Sequence, residues 1–271
     1  MSRIVALVML QLRRIVRRQW IQVAVAAGLA LAVVAVAVAA THDGGVREDT
    51  LRRGAAALPL LGGPVVALGL GSGALILDAQ PGHFGGLTGS GASLPEWVAG
   101  AVGARIVVLV AAGAAWALVL QAGSLVLGLG LDGPLAVHSL AVGEGLVLAM
   151  LGASAASSIV GPLAAGAFGA SLYVLAQAAV NLKAAADQGL IGTADAGVRI
   201  LYYVAPRTVT SPMIADLQLR DAAGAAAPRV EVNGNTVLIP AAGWDTVAWT
   251  LAWCILLGLL CAAGLRRRPL N

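Results

Sequence analysis

Residues 21–40 contain no charged side chain. A run of about twenty apolar residues is the length that crosses the ~30 Å hydrocarbon core of a bilayer. No water is available there, so every backbone polar group has to be paired within the segment, and an open chain can do that only as a helix. This one run therefore dictates a helical fold and a lipid environment together. Comparable runs recur at 57–77, 104–128, 135–182 and 246–265. The stretch 135–182 is too long for one crossing and suits two, with a break near Ser154–Gly161-Pro162. Composition agrees: 59% of the 271 residues are hydrophobic and 11% charged, against roughly 45–50% and about 25% in soluble domains. That excess excludes a soluble enzyme, a disordered chain and a disulfide scaffold. Cys254 and Cys261 share one apolar run. At ~1.5 Å rise per residue they lie about 10 Å apart along the axis, beyond the ~7 Å that a disulfide tolerates.

The charges sit at the ends. Arg3, Arg13, Arg14, Arg17 and Arg18 precede the first span, and Arg266, Arg267 and Arg268 follow the last. Within residues 1–19, Ile4, Val8, Leu12 and Ile15 recur at helical spacing, which predicts an amphipathic helix on the membrane surface. Trp20 marks the interface. Ala37-Val38-Ala39 mimics a cleavage site, but the apolar run is too long and its basic approach too elaborate for a cleaved leader. Basic residues at both ends place both termini in the cytoplasm, which an even number of spans allows. Residues 41–54, THDGGVREDTLRRG, read as an outer polar loop, and 78–96 as an inner segment. The second span carries Gly69 and Gly73, four apart, which lets another helix approach closely. The third span begins near residue 104 with Arg105 and is closed by Asp132, Gly133 and Pro134.

The hydrophilic stretch 183–245 would face outside. Val230-Glu231-Val232 and Asn235–Ile239 flank Asn233-Gly234, the strongest short hairpin signal, since a type I′ turn needs positive φ at both central positions. Residues 195–204 and 211–220 carry weak helical periodicity. Together they predict a small helix-and-hairpin cap. Trp244, Trp249 and Trp253 open the last span as an aromatic belt. The domains are thus 1–19, an interfacial helix; 20–182, five spans; 183–245, the outer segment; and 246–271, the sixth span with its tail.

Chemistry-bearing motifs are sparse. A phosphate-cradling P-loop needs Gly-x-x-x-x-Gly-Lys-Ser/Thr, and the single lysine, Lys183, stands in no such context. Any energy from ATP must therefore come from a partner, and the chain itself reads as no enzyme. Gly128-Leu-Gly130-Leu-Asp132-Gly133 matches a dinucleotide fingerprint in letters, but it closes a membrane span rather than opening a βαβ unit. Glu144 is the one acid well inside an apolar run, roughly 14 Å deep. It is either a group facing substrate or protons, or a protonated acid bonded to a neighbour such as Gln121 or Ser139. His42, Asp43, Asp132 and His138 would gather near the outer surface without metal-ligand spacing, and His83 lies on the other side. No catalytic residue, cofactor site, metal site or nucleic-acid surface is read from the sequence.

The order of features resembles the permease subunits of type-2 ABC exporters, nearest the branch that matures the copper enzyme nitrous oxide reductase. The features are Arg17-Arg18-Gln19-Trp20 before the first span, Tyr202-Tyr203-Val204-Ala205-Pro206 after the fifth, and the closing Arg266–Arg268. The most specific stretch is 78–101. Asp78 stands at the family's acidic position, Gly82 at its glycine, Phe84 at its leucine and Gly100 at its final glycine. Gln80 replaces an acid, Gly91 a proline, Leu94 an arginine and Ala101 a lysine. The resemblance implies a separate ATPase subunit as partner and a homo- or heterodimer of permeases. It also implies an ATPase contact through 78–96, with Asp78, Gly82, Phe84, Leu87, Glu96 and Gly100 as coupling candidates. Pro95-Glu96-Trp97 suits a helix start, with Trp97 anchoring that helix at the interface and Arg105 reaching lipid phosphates. The expected protein is an all-α membrane permease of six spans with an interfacial helix and an outer cap, in the cytoplasmic membrane. The alternative is a non-transporting scaffold or assembly subunit descended from such permeases.

Overall fold

The computed structural model describes residues 3–72, 93–187, 189–208, 229–232, 235–238 and 244–266. The described elements are α1 (Arg3–Val16), α2 (Gln19–Ala40), α3 (Gly44–Gly71), α4 (Leu94–Val126), α5 (Gly133–Ser157), α6 (Pro162–Asp187), a 3-10 turn (Gly192–Ala194), α7 (Asp195–Val204), β1 (Arg229–Val232), β2 (Asn235–Leu238) and α8 (Trp244–Arg266). Among the described residues five stretches are long and apolar enough to cross a membrane: Gln19–Ala40, Leu94–Val126, Gly133–Ser157, Pro162–Val180 and Asp245–Leu265. Among the described residues the chain is helical apart from one strand pair, antiparallel from Arg229↔Leu238 to Val232↔Asn235. The turn residues Asn233 and Gly234 lie outside the described residues, as does 211–220.

Long helices with this composition need lipid, and their surfaces show it. Val23, Val33, Val34 and Val38 of α2 and Leu251, Ile255, Leu259 and Leu260 of α8 are exposed. Water would penalise such faces by roughly 1.5–3 kcal/mol per side chain relative to burial.

Two sequence boundaries are corrected. Residues 44–54 are not a loop but the first turns of α3. The segment is polar, yet its charges pair along the helix: Arg47 with Asp43 at 3.3 Å and Arg52 with Glu48 at 2.9 Å. Spacing at i,i+4 favours helix, so polarity alone was a poor sign of a loop. The helix of the third span starts at Leu94, well before residue 104. Ser93 Oγ accepts from the Glu96 N–H at 3.4 Å, and Glu96 Oε2 accepts from the Ser93 N–H at 2.8 Å. This capping box, with Pro95 in the first turn, fixes the start expected at Pro95-Glu96-Trp97. The break between α5 and α6, Ser158 to Gly161, falls where the sequence placed it.

The helices alternate in direction. Trp20 lies against Gly69, while Gly54, earlier in α3, lies against Ala35, later in α2, so α2 and α3 are antiparallel. Helices α3 and α5 run together, from Arg52 beside Asp132 through Gly63 beside Leu146 to Gly71 beside Met150. Helix α8 follows α5 in the same sense, ending with Gly264 against Ser158. Both described chain ends therefore lie at one end of the bundle, the basal end below. The opposite end carries α7 and the starts of α3, α5 and α8.

α5 is the spine, packed on α3, α6 and α8. Glycines set its closest contacts. A Cβ at Gly71 would lie 2.5 Å from the Met150 carbonyl oxygen, and one at Gly169 would lie 2.5 Å from that of Ala149. Ile15, Trp97, Leu148, Met150, Leu151 and Cys261 join the main core. A smaller cluster of Ala32, Leu51, Leu120 and Leu135 closes the far end.

Candidate functional site

At the basal end α4 is the longest element. Its 33 residues give ~50 Å of helix against a ~30 Å core. Its first turns project beyond the end of α3, and two contacts brace them. Gly100 is buried against Leu7 of α1, where a Cβ would come 2.6 Å from the Leu7 Cβ. Arg105 is 1% exposed. Its Nε donates to the Leu70 carbonyl at 3.0 Å and its Nη1 to the Ala101 carbonyl at 2.8 Å. The guanidinium thus satisfies a last-turn carbonyl of α3, a favourable place for a cation. Arg105 does not reach outward to lipid phosphates, and Trp97 is no interfacial anchor: the indole is 1% exposed, inside the core. Both expectations treated α4 as isolated, whereas α1 and α3 cover those faces.

Of the coupling candidates, Glu96 closes the capping box and Gly100 is the seat of α1. Asp78, Gly82, Phe84 and Leu87 lie outside the described residues, together with His83. The segment that carries them leaves from Ser72, whose Oγ donates to the Leu68 carbonyl, and returns at Ser93. Gly69 receives the Trp20 ring, and Gly73 is outside the described residues.

Glu144 sits partly buried near the middle of α5, in electrostatic contact with Cys254 of α8. The two partners considered for it are engaged elsewhere. Gln121 Nε2 donates to the Asp132 carbonyl at 2.6 Å, and Ser139 Oγ donates to the Leu135 carbonyl at 2.9 Å. Next to it, Gly145 faces Tyr173 and Gln177 of α6.

The far end holds a network the sequence did not reveal. Asp132 is at its centre. Its carboxylate takes Arg52 in two bonds, Nε to Oδ2 at 2.8 Å and Nη2 to Oδ1 at 3.2 Å, and also accepts the Leu135 N–H as the cap of α5. Gln121 bonds both the Asp132 N–H and its carbonyl. One residue so ties α3, α4 and α5. Of the other residues grouped with it, His138 is buried and hydrogen-bonds the Ala55 backbone, His42 binds the Val38 carbonyl and Asp43 pairs with Arg47. Gly128 and Gly130 have φ of 76° and 79°, left-handed values that close the α4–α5 turn.

A second far-end cluster binds 205–208 between α6 and α8. The Thr208 N–H donates to the Ala176 carbonyl at 3.2 Å, and Thr250 Oγ1 donates to the Arg207 carbonyl at 2.5 Å. Trp249 Nε1 donates to the Ala205 carbonyl at 2.8 Å, and Trp253 Nε1 to that of Val204 at 3.1 Å. The Arg207 guanidinium stands 4.3 Å from the Tyr202 ring centre and 3.5 Å from Asp245. Trp249 and Trp253, read as a lipid belt, thus also serve as hydrogen-bond donors to this segment. Beside it Lys183 bonds Asp187, and Arg199 reaches the Ala186 carbonyl at 3.0 Å. Lys183 pulls the Asp187 carboxyl below its usual range, and Asp187 in turn raises Lys183.

The described contacts at both ends hold helices to one another. No family model and no curated protein matches the chain.

Proposed function

We propose that this chain is the transmembrane permease subunit of an ATP-driven ABC exporter, of the branch nearest copper-enzyme maturation, working with a separate ATPase subunit. In this reading α2, α3, α4, α5, α6 and α8 are six crossings, with the basal end in the cytoplasm of a plasma membrane and the far-end helix and hairpin forming the outer cap. The observation that carries the proposal is the bracing of α4. A push on its projecting start moves α1 through Gly100 and Leu7, and α3 through Arg105 and Leu70. A rigid element that joins two spans is how a remote hydrolysis step becomes a helix displacement. The segment 78–96 is then the docking site for the ATPase, and a second permease completes the pore. The chain has no P-loop of its own.

The test is Phe84→Asp with Leu87→Asp, co-expressed with the candidate ATPase. Docking predicts loss of co-purification and of stimulated ATP hydrolysis while the membrane subunit still inserts. Unchanged binding and hydrolysis would shift the reading to the non-transporting assembly subunit. The replacements at Gln80, Leu94 and Ala101, which remove charge, and at Gly91, which removes a rigid proline, favour that second reading, since they change the stretch an ATPase would grip.

A further inference from the structure

α1 presents three different faces. At about 100° per residue, Leu7, Gln11 and Ile15 form one sector, buried against α4. Val5, Met9 and Val16 form a second, apolar and exposed. Arg3, Arg13 and Arg14, with Arg17 just past the helix, form a third, also exposed. A helix in water has no use for the second face, and a helix inside a bilayer could not carry the third.

Its position is fixed independently. Helix α1 ends at Val16 and the apolar span of α2 opens at Gln19. The connection is stiff: Gln22 Nε2 donates to the Val16 carbonyl at 2.9 Å, and the Arg18 N–H to that of Ile15 at 3.0 Å. At its other side α1 rests on Gly100 and Gly103, within the first turns of α4. Trp20, packed on Gly69, lies at the same level. The helix therefore lies at the membrane boundary, where headgroups are.

The two ends of the bundle differ in charge. At the far end Arg47 and Arg52 meet Asp43, Glu48 and Asp132, while Lys183 and Arg199 meet Asp187, and Arg207 meets Asp245. At the basal end the one described carboxylate is Glu96, held in the capping box and within electrostatic reach of Arg3. No carboxylate among the described residues pairs with Arg13, Arg14 or Arg17.

We propose that the basic face of α1 is a binding surface for anionic phospholipid headgroups. Arg13, Arg14 and Arg17 take the phosphates while Val5, Met9 and Val16 enter the acyl boundary beneath. Guanidinium forks bind phosphate in two parallel bonds. The bound lipids hold α1 down, and through Leu7 and Gly100 they set the height of the start of α4. The inference rests on the chain lying in a bilayer and not on the exporter reading, because no ATPase takes part.

The test uses the full chain with Cys254→Ala and Cys261→Ala. It carries a donor fluorophore at Met9→Cys, or as a control at Val126→Cys on the far end. The chain is reconstituted in mixed phosphatidylcholine and phosphatidylglycerol vesicles. Energy transfer is compared between acceptor-labelled phosphatidylglycerol and acceptor-labelled phosphatidylcholine. The expected result is several-fold enrichment of the anionic lipid around Met9, on the scale of a juxtamembrane arginine cluster, and none around Val126. High salt should erase it, as the screening length falls to ~3 Å at 1 M. Arg13→Gln with Arg14→Gln and Arg17→Gln should erase it at low salt. Equal transfer to both lipids overturns the proposal, and so does enrichment that survives the triple substitution. Loss of ATPase co-purification in the triple variant, without any lipid preference in the parent, would assign the face to a protein partner instead. Should the triple variant fail to insert, the salt series on the parent chain decides: enrichment that high salt erases supports the proposal, and enrichment that survives overturns it.

Discussion

Asp132 shows how much one side chain can hold. Its carboxylate and its Arg52 partner are both buried, at 7% and 9% side-chain exposure. Removing one partner of a buried pair strands the other, at a typical cost of 3–5 kcal/mol. Asp132→Ala, which also removes the cap of α5, should lower the denaturation midpoint in detergent sharply. Arg52→Met with Asp132→Leu should recover part of that loss, since both buried charges are gone and the Glu48 carboxylate that also paired with Arg52 is partly exposed. Failure of the double variant to recover would locate the cost in the cap. Glu144 makes a different prediction. Glu144→Gln should leave assembly intact, because the amide matches the shape of the carboxyl group and places no new charge in the helix. Glu144→Lys should impair insertion, at ~2.5–3.5 kcal/mol for a charge at the centre of a spanning helix. A lysine variant that inserts and assembles normally would place Glu144 outside the membrane interior.

Among the elements, the end of α6 has a pH-dependent fastening. Asp187 hydrogen-bonds Lys183 one turn earlier, and Arg199 of α7 approaches its carboxylate at 3.4 Å. The bond from Lys183 lowers the Asp187 pKa. The stabilisation it gives is therefore present above the ordinary carboxylate range and lost as pH falls through the depressed value. The Lys183 pKa is raised, so its share is lost as pH rises through that raised value. Hydrogen exchange of Ala184 to Ala186, corrected for intrinsic rates, should stay protected between these limits and fray in acid. In Asp187→Asn the acid step should disappear. Elements also show where sequence reading succeeds. The local signals were read correctly at the α5–α6 break, at the Pro95-Glu96-Trp97 start of α4 and in the 195–204 helix, because caps, prolines and periodicity act over a few residues. The first half of α3 was misread, because its helix depends on charge pairs that resemble a loop in composition.

For the whole molecule, the alternation of helices puts the Ser158–Gly161 turn at the basal end and the 192–194 turn at the far end. Single cysteines at Ile159 and Thr193, in the chain lacking its two native cysteines, should respond differently to an impermeant reagent added to intact cells. Thr193→Cys should label and Ile159→Cys should not. The reverse pattern would invert the orientation drawn from the arginines. Lipid as solvent is legible from the sequence, because hydrophobicity and run length are properties of the chain itself. So are most helix ends and the basic character of residues 3–18. Tertiary structure alone decided what the polar residues inside the fold do. Arg105, read as a lipid-reaching side chain, caps α3. Asp132, read as a span terminator, joins three helices. Gly100, read as part of a motif, is the place where α1 rests. Each of these roles depends on which helix lies opposite, and pairs such as Leu70 with Arg105, Arg52 with Asp132 and Leu7 with Gly100, far apart in the chain, leave no periodic trace in a sequence read locally.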